Sequence, residues 1–459
     1  MTDLIVVIPG IGGSVLRRGA AVLWNFGWSG FARALLRRGE PLEALRLPAP
    51  DVDDGVQADC LVDGVQVIPG LWSYGSYAPL TGRLRQRFGA ANVVEFPYDW
   101  RRSNAASARS LEARVEGELR QRPAGTQVVL VAHSMGGIVA RRYLACEGGA
   151  ERCRMLVTIG TPYRGAVKAL DALANGLRWV PGRTGRQLSR LLWSLPSVHE
   201  LLPTYDCLVG PDDVRTGLAA RPPAVLAGTA LLEPAIAFHA ETTAAVEALG
   251  AQPFDTIAVV GQRQATPTLA RERDGQIELL PDDTWEGVTR EGAGGTVYGA
   301  GDGRVPRGSA QPPEWGRHVR GAYPNSGRHL NLPQLPRVFV DIEAAIDGGR
   351  FLGLGAPERG GFGIDLPDVL VEGAPLVVHA RHHSDRLGLT LTVTNCVSAT
   401  PLPRRPFRNL GGGRYEAVVR ALDPGIYEVA AEGIADGAPR RVSEVVTVFP
   451  KDETEPARR

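Results

Sequence analysis

The chain opens on five consecutive apolar residues, Leu4 to Ile8, followed by Pro9-Gly10-Ile11-Gly12-Gly13-Ser14. That pattern is expected of a buried parallel strand running into a loop whose N–H groups are available. Val93-Val94-Glu95-Phe96 predicts a second strand, and Ala108, Leu111, Val115 and Leu119 then recur at helical spacing. Further apolar runs at 128–131, 155–159 and 256–260 continue the alternation of strand with helix, which predicts an α/β fold built on a doubly wound parallel sheet. Residues 168–250 break the rhythm: they carry proline and tryptophan, alternate weakly, and are expected to form a cap.

The texture changes after about residue 350. A glycine-rich linker at 351–364, with Gly353, Gly355, Gly360, Gly361 and Gly363, precedes short alternating runs at 377–380, 389–394, 415–419, 426–430 and 442–449. Their spacing predicts a small all-β, immunoglobulin-like sandwich over 365–450, with a polar tail at 451–459. Within it, Leu422-Asp423-Pro424-Gly425-Ile426-Tyr427-Glu428-Val429 resembles a tyrosine corner, with Val429 where an immunoglobulin domain carries its second cysteine, so no disulfide is expected there. The first domain is expected to occupy residues 1–350.

Composition narrows the function. At 459 residues, 44% hydrophobic and 22% charged, the chain can bury one large core and a smaller one, and a formal charge of +1 offers no electrostatic basis for nucleic-acid binding. The five cysteines, Cys60, Cys146, Cys153, Cys207 and Cys396, lack any C-x-x-C spacing and are expected to be free thiols. Met1-Thr2-Asp3 leads directly into a strand with no basic n-region, and no apolar run is long enough to span a bilayer. A cytoplasmic location follows as an expectation, with peripheral membrane contact compatible with it.

The chemistry concentrates at Ala132-His133-Ser134-Met135-Gly136, a small-x-Ser-x-Gly pentad between an apolar run and a helical pattern. A strand that reverses sharply into a helix would hold Ser134 at a strained apex, hydroxyl outward, which is the nucleophile elbow. Ala132 stands where glycine is commoner, and Gly136 and Gly137 keep the opposite side small. A serine nucleophile needs a base and an orienting carboxylate, which in such folds follow in the order Ser, Asp, His. Gly301-Asp302-Gly303 and Ser326-Gly327-Arg328-His329-Leu330 supply them, the histidine standing ahead of a final helix at about 335–346 and the aspartate after a short strand at 296–298. His133 is the main competing base, although its position beside Ser134 points it away from the apex; His318 is a weaker one. His199 and His239 fall in the expected cap, and His379, His382 and His383 read as a surface cluster, so no metal and no cofactor are assigned.

Together, Ile8-Pro9-Gly10-Ile11-Gly12-Gly13-Ser14, Pro97-Tyr98-Asp99-Trp100-Arg101, the serine pentad, Gly160-Thr161-Pro162, Gly301-Asp302-Gly303 and His329-Leu330-Asn331 resemble the lecithin:cholesterol acyltransferase family, which includes lysosomal phospholipase A and phospholipid:diacylglycerol acyltransferase. The resemblance covers about residues 3–347 and leaves out the second domain. It implies an α/β-hydrolase acting on lipid acyl esters, with Ser134, Asp302 and His329 as the triad and the backbone N–H groups of Ile11 and Met135 as the oxyanion hole. It also sets Asp99 and Trp100 beside the site, in a structural or acyl-positioning role. The aromatic run with Trp24, Phe26 and Trp28, followed by Arg33, Arg37 and Arg38, occupies the place of a lipid-contacting segment and fits either a bilayer interface or packing against the main domain. Secreted members hold that region with a disulfide, whereas Cys60 has no evident partner. Both water and a lipid alcohol suit the second half-reaction, giving a phospholipase or esterase, or an O-acyltransferase. The contrasting class is a catalytically silent scaffold that binds lipid, with the sandwich binding a protein partner.

Overall fold

In a computed structural model the chain is described at residues 3–25, 40–63, 66–68, 72–74, 76–177, 180, 182–250, 253–280, 301–315, 322–348, 361–435 and 437–451. Six parallel strands form the main sheet: β1 (Leu4–Ile8), β2 (Val93–Glu95), β3 (Val128–His133), β4 (Cys153–Ile159), β5 (Asp255–Gly261) and β6 (Ala322–Asn325). Their spatial order is β6-β5-β4-β3-β1-β2, with Ile5 paired to Val93 on one side and to Val129 on the other. After β1 the chain steps outward to β2, then crosses back to β3. Each right-handed crossover therefore determines which face its helix covers. The helix Ala78–Phe88 packs with Pro336–Ile346, while α1 (Asn104–Leu119) packs on α2 (Met135–Cys146), and Leu232–Ala248 lies against α2 as well.

β3 is buried along its whole length because helices cover both faces, and this explains why its sequence is a continuous apolar run rather than an alternation. Each Val or Leu so enclosed contributes about 1.5–3 kcal/mol of transfer free energy. The reversal of winding direction lies between β1 and β3, so the loops leaving their carboxyl ends diverge from a common crevice, where open α/β sheets place their sites.

The region expected as a cap is more divided than its sequence suggested. Helices Val167–Asn175 and Gly182–Trp193 stand beside a four-stranded sheet of Leu208–Val209, Arg215–Thr216, Leu269–Arg273 and Gln276–Leu280, which extends past residue 250. Leu232–Ala248 instead serves as the crossover helix between β4 and β5, held to α2 by Arg142, which bonds Thr242 and Glu241. The strand expected at 296–298 lies outside the described residues, as do the linker at 351–360 and the tail from 452.

The C-terminal unit comprises two sheets around one apolar core. Strands β7 (Gly363–Asp365), β9 (Leu376–Arg381), β12 (Arg408–Gly411) and β13 (Arg414–Val419) form one sheet; β8 (Val369–Val371), β10 (Leu389–Asn395), β11 (Arg405–Pro406), β14 (Gly425–Ala435) and β15 (Ala438–Phe449) form the other. Alternate residues of both enter the core, including Leu376, Val378, Leu391, Val393, Tyr415, Val429 and Val446. The Tyr427 hydroxyl donates to the Asp423 carbonyl at 2.9 Å, fastening the turn four residues before it. All five cysteines are free.

Candidate active site

Ser134 stands between β3 and α2 with φ 53° and ψ −127°, a strained conformation for a residue with a side chain. The strain is tolerated because its surroundings are tightly determined. The Ser134 N–H donates to the Ile159 carbonyl at 2.8 Å, and α2 passes so close to the end of β1 that a Cβ on Gly136 would sit 2.5 Å from the Pro9 carbonyl oxygen. Only glycine permits that approach.

Loops from the carboxyl ends of β5 and β6 deliver the other two side chains. His329 Nε2 lies 2.9 Å from Ser134 Oγ, and His329 Nδ1 lies 2.6 Å from Asp302 Oδ2. All three residues are buried. The second oxygen of Asp302 accepts the N–H groups of Arg304 at 2.9 Å and Val305 at 2.7 Å, and the His329 N–H donates to the Asp302 carbonyl at 2.9 Å. Burial pushes the Asp302 carboxyl upward, but the His329 ring beside it and those hydrogen bonds outweigh burial and hold it below its ordinary value of 3.8. β5 ends at Gly261, where only glycine fits, because a Cβ there would meet the Asp302 Cβ at 2.1 Å.

Met135 is the first residue of α2, so its N–H has no intrahelical carbonyl one turn back to bond. Ile11 is buried in the loop after β1. Aromatic side chains hold that loop: the Tyr77 hydroxyl accepts the Gly10 N–H at 2.9 Å, Tyr98 donates to the Pro9 carbonyl at 3.0 Å, and Trp24 Nε1 donates to the Gly12 carbonyl at 2.8 Å. With the Gly10 N–H so engaged, the next amide along, that of Ile11, is the one expected to face a developing oxyanion.

His133 turns away from Ser134. Its Nδ1 receives the Tyr77 hydroxyl at 2.8 Å and its Nε2 lies 3.3 Å from the His329 carbonyl. Burial first, and the neighbouring His329 second, push its pKa down to about 3, so it is neutral and unsuited to the base role. His199 and His239 bond the carbonyls of Leu195 and Glu200, and His318 lies outside the described residues.

Of the residues set beside the site or in the aromatic run, Trp24, Asp99 and Trp100 take the packing alternative. Trp24 is only 2% exposed and meets Trp100 edge-on at 5.0 Å, so it is core rather than membrane-facing. Trp100 is wholly buried and donates to the Ser14 carbonyl at 3.2 Å. Asp99 pairs with the buried Arg101 at 2.7 Å, which also pairs with Asp54 at 2.8 Å. These residues brace the loop after β1. Phe26, Trp28, Arg33, Arg37 and Arg38 lie outside the described residues. Sequence reasoning missed Tyr77, Gln264, Arg328 and Glu444; only Arg328, adjacent to His329, carried any local signal.

The parallel sheet, the strained Ser134 at the end of β3 and the Ser134–His329–Asp302 chain of contacts make an α/β architecture with its candidate site at the carboxyl ends of the strands. Residues 87–228 match the model of the family described as lecithin:cholesterol acyltransferase. The matched segment contains Ser134 and stops short of Asp302 and His329. Phospholipase A(1) LCAT3 of Arabidopsis thaliana is 28% identical over 121 residues, covering 24% of this chain and 27% of the relative. The uncharacterized protein YJR098C of Saccharomyces cerevisiae is 30% identical over 101 residues, covering 21% of this chain and 15% of the relative. The chain thus spans about a quarter or less of the curated relatives it matches. Among solved structures, the product of the lin2722 gene of Listeria innocua aligns at 14% identity and a TM-score of 0.32, covering 77% of this chain and 97% of that one. The Bacillus licheniformis lipase BlEst2 in propeptide form aligns at 10% identity and a TM-score of 0.31, covering 97% and 93%. No helix among the described residues is long and apolar enough to cross a membrane.

Proposed function

We propose that the chain is a serine hydrolase of lipid acyl esters, with Ser134 as nucleophile, His329 as general base and acid, and Asp302 as the group that orients the imidazole. The observation that carries this reading is the pair of contacts at His329, 2.9 Å to Ser134 Oγ and 2.6 Å to Asp302 Oδ2, made around an elbow strained at the serine. His329 takes the Ser134 proton as Oγ attacks the ester carbonyl; the resulting oxyanion rests on the N–H groups of Ile11 and Met135. Collapse of the tetrahedral adduct passes that proton to the departing alcohol and leaves an acyl-enzyme. Water, activated by the same imidazole, releases the fatty acid; a lipid alcohol taking its place gives a new ester.

Lipid as the substrate class rests on the family, and on the name phospholipase A(1) borne by one relative. The C-terminal unit is read as an immunoglobulin-like sandwich, supported by its shared core and by the Tyr427 bond to Asp423. The test incubates wild type and Ser134→Ala with mixed phospholipid vesicles, with and without a long-chain alcohol, followed by mass spectrometry of the products. Ser134-dependent free fatty acid is the expected result, and a new ester would add acyl transfer. A protein that neither hydrolyses lipid nor labels at Ser134 with a fluorophosphonate would instead be the scaffold.

A further inference from the structure

Both loops that complete the Ser134 site are fastened to the C-terminal unit, next to the residues that matter. Arg328, which precedes His329, donates from Nε to Glu444 Oε2 at 2.6 Å and from Nη1 to the Ile364 carbonyl at 2.9 Å. Glu444 belongs to β15 and is fully buried, and its other oxygen accepts the Val445 N–H at 3.1 Å. Two residues after His329, Asn331 donates to the Ser443 carbonyl at 2.6 Å and its hydroxyl at 3.0 Å. Two residues after Asp302, the buried Arg304 lies 3.6 Å from Asp368 and 3.9 Å from Glu444. Gln264, in the loop after β5, donates to the Ser326 carbonyl at 2.6 Å and accepts the Ile364 N–H at 3.0 Å.

Two buried guanidiniums thus flank the Asp302–His329 pair and meet carboxylates of the sandwich. A buried cation needs a counter-ion, and a loop whose cation is fixed from outside is fixed with it. The Arg328 guanidinium also lies over Gly303, where a Cβ would come within 3.0 Å of its Cζ, so the same group touches the loop of Asp302 and anchors the loop of His329. On the opposite side, the His329 carbonyl meets the His133 ring at a longer 3.3 Å.

We propose that Glu444 is a positioning residue for the reaction: through Arg328 it sets the placement of His329 against Ser134, which makes the sandwich part of the catalytic apparatus rather than an appended binding module. This rests on the triad reading above. Asn331 is the second, independent anchor of the same loop.

The test uses the full chain with Glu444→Gln, Asn331→Ala and, as a control in the other sheet, Arg408→Ala, whose exposed pair with Glu416 is remote from the seam. Steady-state hydrolysis of p-nitrophenyl butyrate and the rate of fluorophosphonate labelling are measured at a temperature where circular dichroism shows each variant folded. The expected result is a kcat about 10–100-fold lower in Glu444→Gln and Asn331→Ala, with KM within about twofold and labelling slowed in proportion, because a displacement near 1 Å costs rate rather than binding. Arg408→Ala is expected to match wild type. Folded Glu444→Gln with wild-type kcat overturns the proposal; if that variant does not fold, unchanged kcat in Asn331→Ala overturns it. Absence of Ser134 labelling in the wild type would overturn the triad reading and this role with it, whereas normal wild-type labelling with unaffected variants removes the positioning role alone.

Discussion

The Tyr77 hydroxyl accepts the Gly10 N–H at 2.9 Å and stands 2.8 Å from His133 Nδ1. Burial pushes the phenol well above its ordinary pKa, so it keeps its proton and donates it to His133, whose Nε2–H is then directed at the His329 carbonyl. The loop after β1 and the loop of His329 are thereby joined through the residue preceding the nucleophile. Tyr77→Phe strands a buried amide and a buried imidazole nitrogen, each at about 1–3 kcal/mol. The expected outcome is a stability loss of about 2–6 kcal/mol in urea denaturation. Ester turnover should also fall about 10-fold, short of the 10²–10³ that follows outright loss of an oxyanion donor.

Asp302→Asn separates orientation from charge. One oxygen of Asp302 serves the loop amides of Arg304 and Val305, and the other serves His329 Nδ1. Asparagine can keep the first role, but its amide then presents N–H groups to Nδ1 and selects the tautomer that carries its proton on Nε2, facing Ser134. Turnover should drop by about 10⁴-fold with little change in melting temperature, measured on purified protein with a chromogenic ester. A drop within tenfold would remove Asp302 from the triad.

Much of this site was legible because its parts are local. The apolar run at β3, the small residues after Ser134 and the glycines around Asp302 form short patterns readable in place, even though the atoms that require Gly136 and Gly303 to be glycine, at Pro9 and Arg328, are far off in the chain. What the sequence concealed is long-range. The aromatic and basic run around Trp24 fits an interface and a packed segment equally well in sequence; what favours packing for Trp24 is its indole enclosed against Trp100, a contact 76 positions away that no periodicity records. Glu444 is a charged residue in a stretch of strand buried from Val442 to Phe449, and the Arg328 guanidinium opposite it, with Arg304 nearby, explains its burial. The division of the region after β4 was likewise hidden, because Leu232–Ala248 shows no strong apolar stripe when several elements share its surface.

Arg101 tests the structural reading of the Asp99–Trp100 segment. It is fully buried and paired with both Asp54 and Asp99, and donates to the Leu45 carbonyl at 3.2 Å. Burial pushes Asp54 upward, yet its bond to Arg101 and the adjacent guanidinium charge bring it down to about 2. Arg101→Met keeps much of the volume but takes the buried cation from Asp99 and from Asp54, which keeps its pair with the more exposed Arg18 at 2.7 Å. Unfolding in urea should show a loss of about 3–5 kcal/mol. At temperatures where the variant remains folded, KM for a small soluble ester should be unchanged, since neither partner touches Ser134, His329 or Asp302. A stable variant with selectively raised KM would return Asp99 to a substrate-binding role.

Glu200 supplies a pH signature that is independent of catalysis. Its side chain accepts the Asn104 N–H at 2.7 Å at the start of α1. Burial, reinforced by the Asp51 carboxylate, outweighs that bond and Arg142 and pushes its pKa up to about 8 from 4.5. Between those two values the folded chain retains a proton that the unfolded chain has released, so stability declines as pH rises from about 4.5 to about 8 and is flat above. Glutamine stays neutral throughout and its carbonyl can accept the same N–H. Glu200→Gln should therefore equal wild type near pH 4.5 and exceed it increasingly up to pH 8, the gap reaching on the order of a few kcal/mol. His133 and His239, held down to about 3 and about 4, weaken both proteins alike as pH falls below about 6.5, so the difference between the two urea titrations isolates Glu200. A gap that is constant with pH would mean that Glu200 is ionised in the folded protein, with Asn104 and Arg142 prevailing over burial.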